Sequence, residues 1–222
     1  MKNKIVNDTI RLFIITLVAG IILGIVYNLT KAPIATQEEL SKQNAYKMVL
    51  SAADKFEELA DEKYSDANIT ATLSDALKSS EDALEKDDIA GVVVGTSNGA
   101  YAGLVVTVIA HDGYGGDIKY AVGIDKDGIL QGISFLAISE TAGLGMRAKQ
   151  DPSFAAQFTG VSVDRYVLVK DGSGSNSDST IDAISGSTVT SKAVLRGVNA
   201  AKVAVKEIKA AKAVTKGGVT VE

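Results

Sequence analysis

Between Asp182 and Ser191 the chain reads Asp-Ala-Ile-Ser-Gly-Ser-Thr-Val-Thr-Ser, five hydroxyls and a carboxylate around a single glycine. A hydroxyl-rich, glycine-hinged turn that feeds a helix suits a phosphate, because unpaired backbone N–H groups and the positive end of the helix dipole meet there. The same residues suit a plain Ser/Thr helix cap, for which one hydroxyl is enough. The residues alone leave both readings open. Two glycine-bearing stretches precede it, Gly113-Tyr114-Gly115-Gly116 and Glu140-Thr141-Ala142-Gly143-Leu144-Gly145. On their own these are turn residues as readily as ligand contacts.

What is missing narrows the chemistry. Cysteine is absent, which excludes disulfides, thiolate zinc sites, cysteine-ligated iron–sulfur clusters and cysteine nucleophiles. His111 is the single histidine, too few for a His-rich metal site or a His-dependent triad, and it reads as a surface loop residue. Asp171–Thr180 is spaced a little like a calcium loop but has Asn176 where that loop needs glycine. No Gly-x-Gly-x-x-G stands before a helix with an acid about 20 residues on, so a nicotinamide site is not expected. Neither a catalytic side chain nor a metal ligand is assigned. Redox or group-transfer chemistry would have to come from carboxylates, hydroxyls, backbone or a bound organic cofactor.

The elements that must position these residues are legible from periodicity. Val194, Val198, Ala201, Val205 and Ile208 recur at helical spacing directly after the hydroxyl-rich turn. Lys192, Arg196, Asn199, Lys202, Lys206 and Lys209 stand opposite, a basic face expected to be solvated. Upstream, Ile89–Gly95, Tyr101–Ala110, Ile118–Ile124 and Ile129–Ile138 are β-branched runs divided by Gly, Asn and Asp. Asp125–Gly128 reads as a hairpin turn between the last two. Short helices are expected at 143–149 and 152–158, a further strand at 167–169, and a solvated loop at 171–180. Residues 36–62 read as one amphipathic helix, with Tyr46, Val49, Leu50, Ala53 and Phe56 on its apolar side. Residues 63–88 read as polar loop with a short helix.

The N-terminus differs in kind. Leu12–Leu29 is a run of 18 residues without charge, about 27 Å of helix, close to the hydrocarbon thickness of a bilayer. Ala32-Pro33-Ile34-Ala35 is a poor signal-peptidase site, so a retained anchor is expected. Residues 1–30 carry a charge of +2 and the remainder −6, within a total of −4. A basic inner flank and an acidic body predict a single pass through the cell inner or plasma membrane, N-terminus cytoplasmic and body outside. The acidic balance also argues against a nucleic-acid partner. The 222 residues, 46% hydrophobic and 23% charged, therefore divide into a membrane anchor at 1–30, a helical and polar lead-in at 31–88 and a main domain at 89–222. The expected class is α+β, a transmembrane helix followed by a mainly antiparallel sheet packed by helices.

Asp182-x-x-Ser185-Gly186-Ser187-Thr188 resembles the flavinylation motif of the FMN-binding domains of ion-pumping respiratory complexes, with Ser187 where alanine is usual. Glu140–Gly145 resembles that family's Glu-Thr-Pro-Gly-Leu-Gly segment, with Ala142 in place of proline, and Gly113–Gly116 resembles its glycine turn beside the ring. The segments lie in the family's order, and with the anchor they resemble the G subunits of Rnf complexes, membrane-bound ferredoxin:NAD oxidoreductases that pump sodium ions or protons. The C subunits of the sodium-pumping quinone reductase are the runner-up, and the 192 residues after residue 30 favour Rnf. The resemblance implies FMN joined through its phosphate to Thr188 by a flavin transferase. It also implies cofactor contacts from Asp182, Ser185, Gly186, Ser187, Glu140, Thr141, Gly143, Leu144, Gly145, Tyr114 and Gly115. The implied role is an electron relay in an extracytoplasmic FMN-binding domain, partnered by membrane lipid and by the other membrane and peripheral Rnf subunits. A cofactor-free, membrane-anchored binding module is the competing reading.

Overall fold

The computed structural model describes residues 2–80 and 83–222, the first three of them by backbone alone. Residues 81 and 82, part of the expected polar loop, lie outside the described residues. Two compact units are present, 1–43 and 44–222. The first belongs to α1 (Lys2–Val49), which from Ile5 onward is long and apolar enough to cross a membrane. Its polar side chains bond back along the helix: the hydroxyls of Thr9, Thr16, Thr30 and Thr36 and the amide of Asn28 donate to carbonyls one turn earlier. An apolar span tolerates such groups because their hydrogen bonds are met internally.

The second unit is built on a five-stranded antiparallel meander in chain order: β1 (Lys55–Glu58), β2 (Asp87–Ser97), β3 (Ala100–Gly113), β4 (Gly116–Asp125) and β5 (Leu130–Ala137). The four long strands fall on the expected runs, and Gly128 at the β4–β5 turn has the positive φ that its position requires. Between β1 and β2 lies α2 (Ile69–Lys78), where a short helix within polar loop is expected. Its Ile69, Leu73 and Leu77 are buried at helical spacing. After β5 come α3 (Arg147–Gln150), α4 (Pro152–Ala156), a parallel pair β6 (Val167–Val169) and β7 (Thr180–Asp182), and α5 (Thr188–Ala210).

Both faces of the sheet are covered. On one, Val194, Val198, Ala201, Val205 and Ile208 of α5 join Val106, Val108, Tyr120 and Val122 in the main core. Gly197 lets the helix approach closely, since a Cβ there would fall 2.2 Å from the Tyr120 hydroxyl, which donates to Val194 O at 2.7 Å. On the other face Ala45, Tyr46, Val49, Leu50 and Ala53 pack on Val105 and Ala121. Gly123 is obligatory there, because a Cβ would meet the Val49 carbonyl at 2.0 Å.

Two expectations are corrected. The helix read through 36–62 ends at Val49, and Lys55–Glu58 is an edge strand paired with β2. Leu50 and Ala53 are buried and Phe56 half-buried, as the period predicted, but the unpaired edge of β2 takes the backbone hydrogen bonds that a longer helix would have made internally. The basic face of α5 is solvated only in part. Lys192 and Lys206 are exposed, whereas Arg196 and Asn199 are buried, the latter exchanging hydrogen bonds with the backbone of Tyr166.

Candidate functional site

The start of α5 is left open by its own cap. Ser187 is the N-cap residue but its hydroxyl makes no capping bond, so the first-turn N–H groups of Thr188, Val189 and Thr190 have no side-chain acceptor from it. Ser191 supplies the order instead. Its hydroxyl donates to Ser187 O and accepts from Ile184 N, both at 2.9 Å, which locks the preceding turn onto the helix. Gly186, at φ +76, makes that turn.

Around this terminus is a cavity of about 470 Å³, within the range of small-ligand sites. Tyr114 comes from the β3–β4 turn, Glu140, Thr141, Leu144 and Gly145 from the loop after β5, and Gly186, Ser187, Thr188, Val189 and Thr190 from the head of α5. Tyr114, Leu144 and Val189 are large apolar or aromatic side chains left exposed at its wall. In this lining two buried polar atoms, Ser187 Oγ and Glu140 Oε2, have no partner among the described residues. Burying such atoms unpaired costs about 1–3 kcal/mol each, so both point to a ligand with donors and acceptors of its own. Glu140 also joins two segments, its Oε1 accepting from Gly115 N at 3.3 Å. Gly145 is needed beside it, since a Cβ there would lie 2.5 Å from Glu140 Oε2 and 2.6 Å from Thr190 Oγ1.

The five hydroxyls thus separate by environment. Ser191 is committed to the turn, Thr190 is buried against Gly145, and Ser187 is buried with its hydroxyl unpaired among the described residues. Thr188 is half-buried on the cavity wall. Ser185 faces a neighbouring cleft of about 580 Å³, as does Asp182, whose Oδ1 accepts from Gly174 N at 3.0 Å. Gly143 stands at φ +74 with open space around it and is not part of the cavity wall. Val189 was missed from sequence, and its signal was available: an apolar side chain off the buried face of an amphipathic helix.

An ion network underlies the turn that carries Tyr114. Arg196 Nε donates to Asp87 Oδ2 at 2.8 Å and Nη1 to Asp112 Oδ2 at 2.9 Å. Asp87 pushes the guanidinium pKa up, and Arg196 holds the Asp112 carboxyl below its usual range. Burial pushes Asp87 itself up, against the lowering pull of Arg196. His111 lies at the end of β3 rather than in a loop, with Nε2 2.9 Å from Asp88 Oδ2 and Nδ1 3.0 Å from Asp117 Oδ1. These carboxylates, Asp88 first, raise its pKa.

The chain matches known proteins over most of its length. The FMN-binding domain family matches residues 113–203, which hold all three cavity segments, and the RnfG N-terminal region matches residues 1–49. The G subunit of the Na(+)-translocating ferredoxin:NAD(+) oxidoreductase complex of Acetobacterium woodii is 34% identical over 85% of this chain and 85% of its own. The G subunit of the proton-translocating ferredoxin:NAD(+) oxidoreductase complex of Clostridium ljungdahlii is 31% identical over 90% of this chain and 91% of its own. The crystal structure of Shewanella oneidensis NqrC shares 24% identity and a TM-score of 0.39 over 49% of this chain and 52% of that one, a likeness too partial to weigh. With 34% and 31% of the aligned residues identical over 85% and 90% of its length, the chain belongs to the RnfG family, the G subunits of ion-translocating oxidoreductase complexes.

Proposed function

We propose that this chain is the membrane-anchored, FMN-carrying electron-relay subunit of an Rnf-type ferredoxin:NAD oxidoreductase, with FMN esterified through its phosphate to Thr188 on the extracytoplasmic side. The observation that carries the reading is the cavity at the head of α5. There a half-buried threonine hydroxyl, an uncapped helix N-terminus, two unpartnered buried polar atoms and exposed apolar side chains converge. The residues fit the group. First-turn N–H groups and the dipole favour a phosphate at Thr188, Ser187 Oγ offers it a donor, and Leu144, Val189 and Tyr114 suit a flat ring. When bound, FMN supplies a ring that takes up and passes on electrons. The chain's own part is to hold that ring, tune it through nearby charges and hydrogen bonds, and keep the cofactor from diffusing away.

Substrate oxidation and NAD reduction then belong to the other subunits, and the relatives' membership of such complexes supports assembly with them. The test is the intact mass of the full chain produced with and without a flavin transferase. The expected gain is one FMN less one water, and an unchanged mass would overturn the covalent reading. Sidedness has its own test. The +2 flank before an acidic body predicts that a C-terminal reporter active only in the cytoplasm stays silent; strong cytoplasmic signal would reverse the topology.

A further inference from the structure

The β3–β4 turn that brings Tyr114 to the cavity packs through its backbone: a Cβ on Gly115 would fall 2.1 Å from Ser139 O, and one on Gly113 2.9 Å from Glu140 Oε1. Three of its four residues, Gly113, Gly115 and Gly116, have no side chain, and the β3–β4 register breaks between Ala110 and Gly113. Polar contacts hold its base as well. On one side Asp112 reaches Arg196 at 2.9 Å and Lys86 at 3.6 Å. On the other, His111 stands between Asp88 of β2 and Asp117 of β4. At the tip, Gly115 N meets Glu140 Oε1 at the long distance of 3.3 Å.

A neutral imidazole has one N–H and one bare nitrogen, so it can donate to only one of two carboxylates; the cation donates to both. Both ring nitrogens of His111 face carboxylate oxygens at 3.0 Å or less. The bridge across β2, β3 and β4 therefore exists whole only when His111 is charged. Deprotonation turns one contact into lone pair against carboxylate, and Asp117 is adjacent to Gly116, the last residue of the turn.

We propose that His111 is a positioning residue for the cavity: as a cation it ties Asp88 to Asp117 and so sets the 113–116 turn, with Tyr114, against the 140–145 loop. The cavity wall is then sensitive to pH on whichever side of the membrane the domain faces. The sign follows from the two carboxylates. They raise the folded-state pKa of His111 above its ordinary value, so the stabilisation is complete below the ordinary histidine range and is lost as pH rises through the raised value. The groups facing the imidazole are Asp88 and Asp117; Asp87, whose carboxylate is met by the backbone N–H of His111, forms with Asp112, Arg196 and Lys86 the adjoining network.

The cavity's role as a flavin site is itself a proposal on which this one rests, so the first measurement uses the full chain without flavin. The chain has one histidine and no tryptophan. The ring resonances of His111 therefore titrate alone, and Tyr114→Trp places a single tryptophan on the turn. Tryptophan emission should shift in one single-proton transition whose midpoint matches the histidine titration and lies above the ordinary histidine value. In a His111→Gln background the transition should vanish and emission stay at its alkaline level. In His111→Arg, which keeps a donor-only cation, it should vanish and stay at its acid level. If Tyr114→Trp does not fold, the amide resonances of Gly115 and Gly116 in the unaltered chain give the same readout. A transition that survives His111→Gln, or a turn signal flat with pH while the histidine titrates, overturns the proposal. Whether the transferase-loaded chain gains the mass of FMN is read separately, so either idea can fail alone.

Discussion

Thr188→Ala, in the full chain produced together with a flavin transferase, is expected to abolish the mass increment and the flavin fluorescence under denaturing electrophoresis. Thr190→Ala is expected to keep both. Five hydroxyls lie within seven positions, and the fold tells them apart. Ser191 is spent on two hydrogen bonds within the turn, Thr190 is buried at 1% exposure against Gly145, and Ser185 faces the adjoining cleft. Thr188 is on the cavity wall and begins α5, where an attached phosphate meets free first-turn N–H groups. Loss of flavin in Thr188→Ala cannot be put down to unfolding. Ser187, not Thr188, is the cap residue, and alanine inside a helix is favoured over threonine by up to about 0.7 kcal/mol. Unchanged far-ultraviolet circular dichroism checks that point. A fluorescent Thr188→Ala band, or flavin mapped to another peptide, would overturn the attachment site.

The largest expected effect on stability is that of Arg196→Ala. Asp87 is 1% exposed and Arg196 6%, and the guanidinium also reaches Asp112. Removing the cation leaves a carboxylate buried beneath α5 without its partner, for a cost of about 3–5 kcal/mol. Against the roughly 5–15 kcal/mol that holds a typical domain together, that is a large fraction. Chemical denaturation of the chain in detergent should show it as a lower midpoint. Asp87→Asn in the Arg196→Ala background should recover part of the loss, because a neutral amide costs less to bury than an unpaired charge. A loss below about 1 kcal/mol would mean that water reaches the pair and that burial does not set its energetics.

The contrast between Arg196 and Lys206 shows where reading the sequence stops. Both fall on the polar side of the same amphipathic pattern, yet one is buried and the other exposed. Periodicity reports which side of a helix meets the sheet, but it does not report what covers the opposite side near one end. Here the end of β3 and the start of β2 supply Asp112 and Asp87. The misread end of α1 has a similar origin. Apolar positions at 46, 49, 50, 53 and 56 satisfy a helix throughout and equally a helix, a turn and a short edge strand. Only the free edge of β2 chooses between them.

By itself, the sequence determined the elements whose signals are local. These are the charge-free run that makes an apolar helix, the four β-branched strands with glycine at their turns, and the amphipathic helix behind a hydroxyl-rich turn. Each depends on residues a few positions apart, where spacing alone sets which side is apolar or which backbone angle is allowed. Tertiary structure decided what depends on residues distant in the chain. Glu140 meets Gly115 across 25 positions, and Arg196 meets Asp87 across 109. It also divided the motif, sending Asp182 and Ser185 to one cleft and Gly186–Thr190 to the cavity with Tyr114 and Leu144. Hydroxyls of nearly equal intrinsic chemistry differ here only in what surrounds them, and those surroundings come from segments that no local pattern links.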